Sequence, residues 1–231
     1  MTVLALTLDL DDTLWPIAPV IERAEQVTHA WLERQAPATA LRFGVPAMRE
    51  LRADVSRRHP RLAHDLSQLR LIALRESLRA SGDDPALAEP AFEVFFAQRQ
   101  QVEFYADVIP ALDRLAARFP LLALSNGNAE LAATGLSRWF CGSVSARSAG
   151  VAKPDVRIFR SACEQLGRAP AQVMHIGDDL ALDVDGARAA GLQTAWVRRD
   201  GVQQPGGSTQ EAGRRHLQVS DLLALADLLG A

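Results

Sequence analysis

Lysine is almost missing from this 231-residue chain: Lys153 stands alone against 24 arginines. Either arginine-rich coding left one lysine behind, or position 153 needs a compact ammonium that a planar guanidinium fork cannot imitate. Cysteine is scarce too. Cys141 and Cys163 are too few and too ill-spaced for a zinc site or a disulfide framework. No apolar run approaches the ~20 residues of a membrane-spanning helix. A net charge of -3 leaves no basic footprint for nucleic acid, so neither a membrane nor a nucleic-acid partner is expected. The chain enters a strand without a cationic leader, and cytoplasmic residence is the expectation.

What the chain does contain is a 48% hydrophobic composition, enough for a sizeable core. Short apolar runs ending in polar residues recur: "VLALTLD", "LLALSN", "VMHIGDD" and "QTAWV", with "SVSAR" as a further short strand. Helical patterns alternate with them, as between Ala106 and Phe119, where Ile109, Leu112, Leu115 and Phe119 keep helical spacing. This alternation predicts an α/β fold with a Rossmann-like parallel sheet. From Pro16 to about Tyr105 the periodicity is helical throughout. Val20, Ala24, Val27 and Trp31 mark one face, and Pro37, Pro46, Pro60 and "SGDDP" punctuate the helices. The predicted organisation is a discontinuous core of residues 1–15 and 106–231 and an inserted all-helical domain of residues 16–105. The polar stretch from Arg198 to Arg215 predicts a surface loop before a last strand and helix.

Ligands of open α/β sheets bind outside the carboxyl ends of the strands, so residues closing separate strands converge there. Here these are Asp9, Asp11, Ser125, Asp178 and Asp179, with Lys153 after the short strand and Asp183 five positions beyond Asp178. Four of these carboxylates around one site would raise one another's pKa values unless cations neutralised them. One lysine is not enough. A hard divalent cation held by carboxylate oxygens, typically Mg2+, supplies the missing charge and suits a site that handles phosphate.

These segments resemble the haloacid dehalogenase superfamily, specifically its phosphatases with a helical cap inserted after the first strand. The likeness is carried by "DLDDT" (Asp9–Thr13), "LSNGN" (Leu124–Asn128), "AKP" (Ala152–Pro154) and "HIGDDLALDVDGA" (His175–Ala187), in that order across the core. It implies that Asp9 attacks phosphorus to form an aspartyl-phosphate and that Asp11 acts as general acid and then base. It further implies that Thr13 supports the loop, and that Ser125 and Lys153 bind the transferring phosphoryl group. Magnesium falls to Asp9, the backbone carbonyl of Asp11, and Asp178, with Asp183 as a supporting carboxylate. Asp12 and Asp179 are read as turn-forming spectators and His175 as a locally bonded residue. Asn126 and Asn128 either position phosphate or shape their loop.

The substrate implied is a small phosphomonoester. "HDLSQLR", "SNGN", "HIGDDL" and "TAWVR" are similar to a bacterial branch that dephosphorylates 5-amino-6-(5-phosphoribitylamino)uracil and flavin mononucleotide. Trp15 either offers such a ring a flat surface or packs. Arg70 and Arg75 either meet a polar substrate or lie on a solvated face. A phosphomutase shares Asp9 and Asp11 and differs in excluding water. A phospho-receiver switch carries its phosphate on a middle strand and lacks a helical insert. A dehalogenase needs neither the magnesium cluster nor an acid at Asp11.

Overall fold

The computed structural model describes residues 2–199 and 216–231, so most of the predicted polar loop lies outside the described residues. Backbone contacts divide the chain into two compact units. One comprises Met1–Pro16, Glu103–Gly127 and Leu131–Ala231; the other comprises Ile17–Val102 and Asn128–Glu130.

The second unit is helical, with α1 (Ile17–Gln35), α2 (Pro37–Arg42), α3 (Val45–Arg58), α4 (Leu66–Ser81) and α5 (Ala88–Arg99). Pro37 and Pro46 sit in first turns, where a missing N–H is no loss. Asp65 starts α4 by accepting the Gln68 N–H at 2.9 Å, and Gly82 ends it with a left-handed φ of 81°. Leu32, Leu74, Leu78, Ala88 and Ala91 form its core, with Trp31 and Phe92 packed against them. The buried face of α1 differs from the expected one. Val27 is exposed, while Glu25 and Thr28 are buried with Val20, Ala24 and Leu32. Glu25 tolerates burial because Arg49 and Arg52 donate to it at 2.5 and 2.7 Å.

Among the described residues the first unit is built on six strands: β1 (Ala5–Leu8), β2 (Leu121–Ser125), β3 (Phe140–Ser145), β4 (Val173–Gly177), β5 (Gln193–Val197) and β6 (Leu217–Val219). Their order is β3-β2-β1-β4-β5-β6, and every pairing is parallel, the Rossmann-like arrangement that the alternating pattern predicts. Among the described residues five α-helices accompany the sheet: α6 (Val108–Arg118), α7 (Ala146–Ala149), α8 (Val156–Leu166), α9 (Gly186–Ala189) and α10 (Leu222–Leu229). All residues of β1, β2 and β4 are buried, which explains why these strands read as continuous apolar runs instead of alternating ones. Leu122, Leu124, Val144, Ile158, Phe159 and Val173 belong to one core cluster. Each large aliphatic or aromatic side chain enclosed there contributes roughly 1.5–3 kcal/mol.

Register brings the polar strand ends together. Leu8 aligns with Ala123 of β2 and Ile176 of β4, so the carboxyl ends of the three central strands lie side by side. The crossovers run to one side of β1 for β2 and β3 and to the other for β4, β5 and β6, creating a crevice at the switch point. No helix among the described residues is long and apolar enough to cross a membrane.

Candidate active site

Asp9 directly follows β1, and its N–H is held by the Ile176 carbonyl of β4 at 2.9 Å. The chain then turns sharply. Asp12 adopts a left-handed φ of 58°, its N–H bonds to the Trp15 carbonyl at 2.8 Å, and the Leu14 N–H returns to the Leu10 carbonyl at 2.7 Å. Aspartate tolerates that backbone region better than most residues, so Asp12 serves the turn. The Thr13 hydroxyl donates to Asp178 at 2.8 Å, tying the turn to the end of β4.

Lys153 is 4% exposed and lies between two carboxylates, with Nζ 2.5 Å from Asp9 Oδ1 and 2.6 Å from Asp183 Oδ1. Its backbone is gripped by Asn126, whose Oδ1 accepts the Lys153 N–H at 2.7 Å and whose Nδ2 donates to the Lys153 carbonyl at 3.0 Å. Asn126 therefore shapes the lysine loop, one of its two expected roles. Ser125 is buried at the end of β2, and its Oγ accepts the Gly127 N–H at 3.0 Å, leaving the hydroxyl proton to donate.

Asp183 reaches the same point from a π-helical turn over Leu180–Asp185, capped by Asp179, which accepts the Ala181 and Leu182 N–H groups. Such wider turns occur often at functional sites. Gly177 permits the approach, since a Cβ there would lie 2.2 Å from Asp183 Cγ. Asp183 accepts from Lys153, from His175 Nε2 at 3.0 Å and from the Asp179 N–H at 3.0 Å, while His175 Nδ1 bonds Thr7 at 2.9 Å. The local bonding predicted for His175 thus connects two neighbouring strands to the cluster.

Asp9, Asp178 and Asp183 each place an oxygen within 4.8 Å of the others. Burial pushes the Asp9 carboxyl well above its ordinary pKa, Lys153 opposing and Asp183 adding repulsion. Burial also lifts Asp178, to about 7, with Asp183 again adding to the rise. Burial acts against Asp183 as well, but Lys153 and His175 overcome it and hold this carboxyl below its usual range. The asymmetry follows from how the donors are distributed, since Asp183 gathers Lys153, His175 and the Asp179 N–H while Asp9 shares the lysine. The Lys153 ammonium is disfavoured by burial, yet Asp183 and Asp9 hold its pKa well above normal. Three carboxylates against one ammonium leave an excess of negative charge, and the hard oxygen donors fit a divalent cation.

The remaining predicted residues fall elsewhere. The Asp11 carboxylate is not in the cluster; its Oδ1 accepts from Trp15 Nε1 at 2.9 Å. Trp15 is fully buried and meets Phe104 edge-on at 5.8 Å; of its two readings, packing describes this arrangement, and its Nε1 orients Asp11. Arg70 is partly buried in the helical unit, with its guanidinium 3.4 Å from the Phe95 ring centre and 3.8 Å from Glu25. Arg75 pairs with Glu89. Asn128 groups with the helical unit, where it donates to Ser67 at 3.1 Å. Gly177 escaped the sequence reading, although a glycine closing an apolar strand just ahead of an acidic turn is a readable sign of close approach.

Comparison with known proteins adds an independent line. A family model described as haloacid dehalogenase-like hydrolase matches residues 3–191. The 5-amino-6-(5-phospho-D-ribitylamino)uracil phosphatase YigB of Escherichia coli (strain K12) is 31% identical, over 97% of this chain and 95% of its own. A phosphoserine phosphatase of Thermus thermophilus is 30% identical over 81% of this chain and 72% of its own. Among solved structures, a 2-haloacid dehalogenase from Pseudomonas syringae pv. Tomato DC3000 superposes with a TM-score of 0.88 at 31% identity, covering 99% of both chains.

Proposed function

Because the chain belongs to the haloacid dehalogenase-like hydrolases, we propose that it is a magnesium-dependent phosphatase of a small phosphorylated metabolite, working through an aspartyl-phosphate on Asp9. The observation that carries this reading is the Lys153 ammonium between Asp9 and Asp183, with Asp178 beside them at the ends of the central strands. Asp9, Asp178 and the Asp11 carbonyl would hold the cation, which neutralises charge on the phosphoryl oxygens when bound.

Asp9 attacks phosphorus with the carboxylate oxygen that Lys153 does not engage. The P–O bond to the leaving group breaks, and Asp11, oriented by Trp15, gives its proton to the departing oxygen. Asp11 then takes a proton from water as that water attacks phosphorus. The bond to Asp9 breaks, inorganic phosphate leaves, and Asp11 is protonated again. Ser125 donates to a phosphoryl oxygen, while Lys153 holds Asp9 and the phosphoryl group together.

For the substrate we favour a ribityl or sugar chain joined to a heteroaromatic ring, as in 5-amino-6-(5-phosphoribitylamino)uracil or flavin mononucleotide, which would place the protein in riboflavin biosynthesis. With Trp15 enclosed, the support is the likeness to the Escherichia coli relative. Residues 1–15 and 106–231 are the catalytic core in this reading and residues 16–105 the substrate-reading cap. Cytoplasmic residence, with small molecules instead of nucleic acid or membrane as partners, belongs to the same reading.

The dehalogenase reading is favoured by the solved 2-haloacid dehalogenase that superposes on the whole chain. A panel of kcat/KM values with magnesium decides between them, using the two flavin-pathway phosphates, phosphoserine, simple sugar phosphates and 2-chloropropionate. The flavin-pathway phosphates should rank first. A dominant sugar phosphate or phosphoserine overturns the substrate class but not the chemistry. Isomerisation of a sugar phosphate assigns a mutase. Chloride release from 2-chloropropionate without phosphatase activity overturns the whole reading.

A further inference from the structure

Arg199 lies two residues beyond β5 and is only 9% exposed. Its Nη2 and Nε donate to the Thr13 carbonyl at 2.7 and 3.2 Å, while Nη1 and Nη2 meet the two Asp107 oxygens at 2.6 and 3.1 Å. Its guanidinium carbon stands 4.0 Å from the Tyr105 ring centre. Asp107 is itself fixed, because its Oδ2 also accepts the Leu222 N–H of α10 at 2.8 Å. The next carbonyl of the turn, that of Leu14, accepts the Tyr105 N–H at 3.0 Å. Two successive carbonyls of the turn are therefore held from outside it.

We propose that Arg199 is a positioning residue for the reaction: by gripping the Thr13 carbonyl against the Asp107 anchor, it sets the turn that presents Thr13 to Asp178 and carries Asp11. The inference rests on the phosphatase reading. Its physical basis is the planar fork, which satisfies a carboxylate on one edge and a carbonyl on the other at once; a lysine ammonium in the same place reaches one of them. Loss of the grip frees the Thr13 peptide plane. The Thr13 hydroxyl then no longer holds Asp178 in one orientation, and the cation site loosens without losing any of its ligands. Outer partners of metal ligands typically change metal affinity or activity by about 10–100-fold.

The test compares wild type with Arg199→Lys and Arg199→Met. Magnesium affinity is measured by calorimetry without substrate, kcat and KM on p-nitrophenyl phosphate, and hydrogen exchange of the peptide spanning residues 10–15 in metal-free protein. Both variants should weaken magnesium binding and lower kcat by about 10–100-fold, with KM changing much less, and should speed exchange in that peptide. Arg199→Lys, which keeps the charge beside Asp107, carries the decision if Arg199→Met does not fold. A folded variant with wild-type magnesium affinity, kcat and exchange overturns the proposal. If wild type hydrolyses no phosphomonoester, the phosphatase reading fails, and unchanged exchange and metal affinity in the variants then separately overturn the positioning role.

Discussion

Asp183→Asn tests the electrostatic construction of the cluster, because it preserves shape while removing one charge. Asp183 now accepts three hydrogen bonds, from Lys153 and His175 on Oδ1 and from the Asp179 N–H on Oδ2. An amide can accept on one side only. Turned either way, its NH2 group faces a donor: the Lys153 ammonium or the Asp179 N–H. Breaking a buried pair by removing one partner costs about 3–5 kcal/mol. Relief of repulsion on Asp9 and Asp178 returns part of this, so we expect a net loss of roughly 3 kcal/mol. For a protein of this size that lowers Tm by roughly 6–12 °C. The assay is thermal unfolding in chelator, followed by circular dichroism from pH 4 to 8. The wild-type carboxyl is held below its unfolded pKa. Its contribution is therefore complete above about pH 4 and declines only as pH falls through the lower folded value. The deficit of the variant should accordingly persist from pH 8 down to about pH 5, growing as Asp178, lifted to about 7, protonates and the relieved repulsion vanishes. A Tm equal to wild type, or a deficit that disappears between about pH 8 and pH 6, refutes the assignment of charge to Asp183.

Asp9→Asn should abolish phosphatase activity, because an amide cannot form the acyl-phosphate, and chelation of the metal should do the same; full turnover in either refutes the scheme. Asp11→Asn should leave magnesium binding intact in calorimetry and slow turnover by about a hundred- to ten-thousand-fold. Lys153→Arg should be nearly as harmful as Lys153→Ala in kcat, since a guanidinium does not fit between oxygens now 2.5 and 2.6 Å from Nζ; an active Lys153→Arg would make the lone lysine a coding accident. Because burial raises the Asp178 pKa to about 7, its ionisation weakens the metal-free fold as pH rises through that value. Magnesium should thus bind more tightly at about pH 8 than at about pH 6 and release protons on binding near pH 7. Calorimetry in two buffers of different ionisation enthalpy measures the release, and none at about pH 7 would contradict the shift.

Sequence by itself determined the parallel sheet, because strands buried on both faces must be continuous apolar runs, and "VLALTLD", "LLALSN" and "VMHIGDD" show their hydrophobicity without any knowledge of partners. It also marked the polar residues that end those runs, and with them the family, since Asp9, Ser125, Lys153 and Asp178 lie close to strand ends whatever the strand order. Tertiary structure decided everything that depends on which surfaces meet. Periodicity placed Val27 inside and left Glu25 unmarked, but two arginines from another helix reversed that. Trp15 could stack or pack from its sequence position alone, and Phe104 together with the Asp11 carboxylate enclosed it. Arg70 could meet a substrate or lie on a solvated face from its sequence position, and only the fold sets its guanidinium against Phe95 and Glu25. Arg199 sits at the edge of a polar stretch that reads as a surface loop, and only Thr13 and Asp107 give it a purpose. The physical reason is common to all of them: a side chain's partner is set by distances between segments far apart in the chain, where periodicity and propensity do not reach.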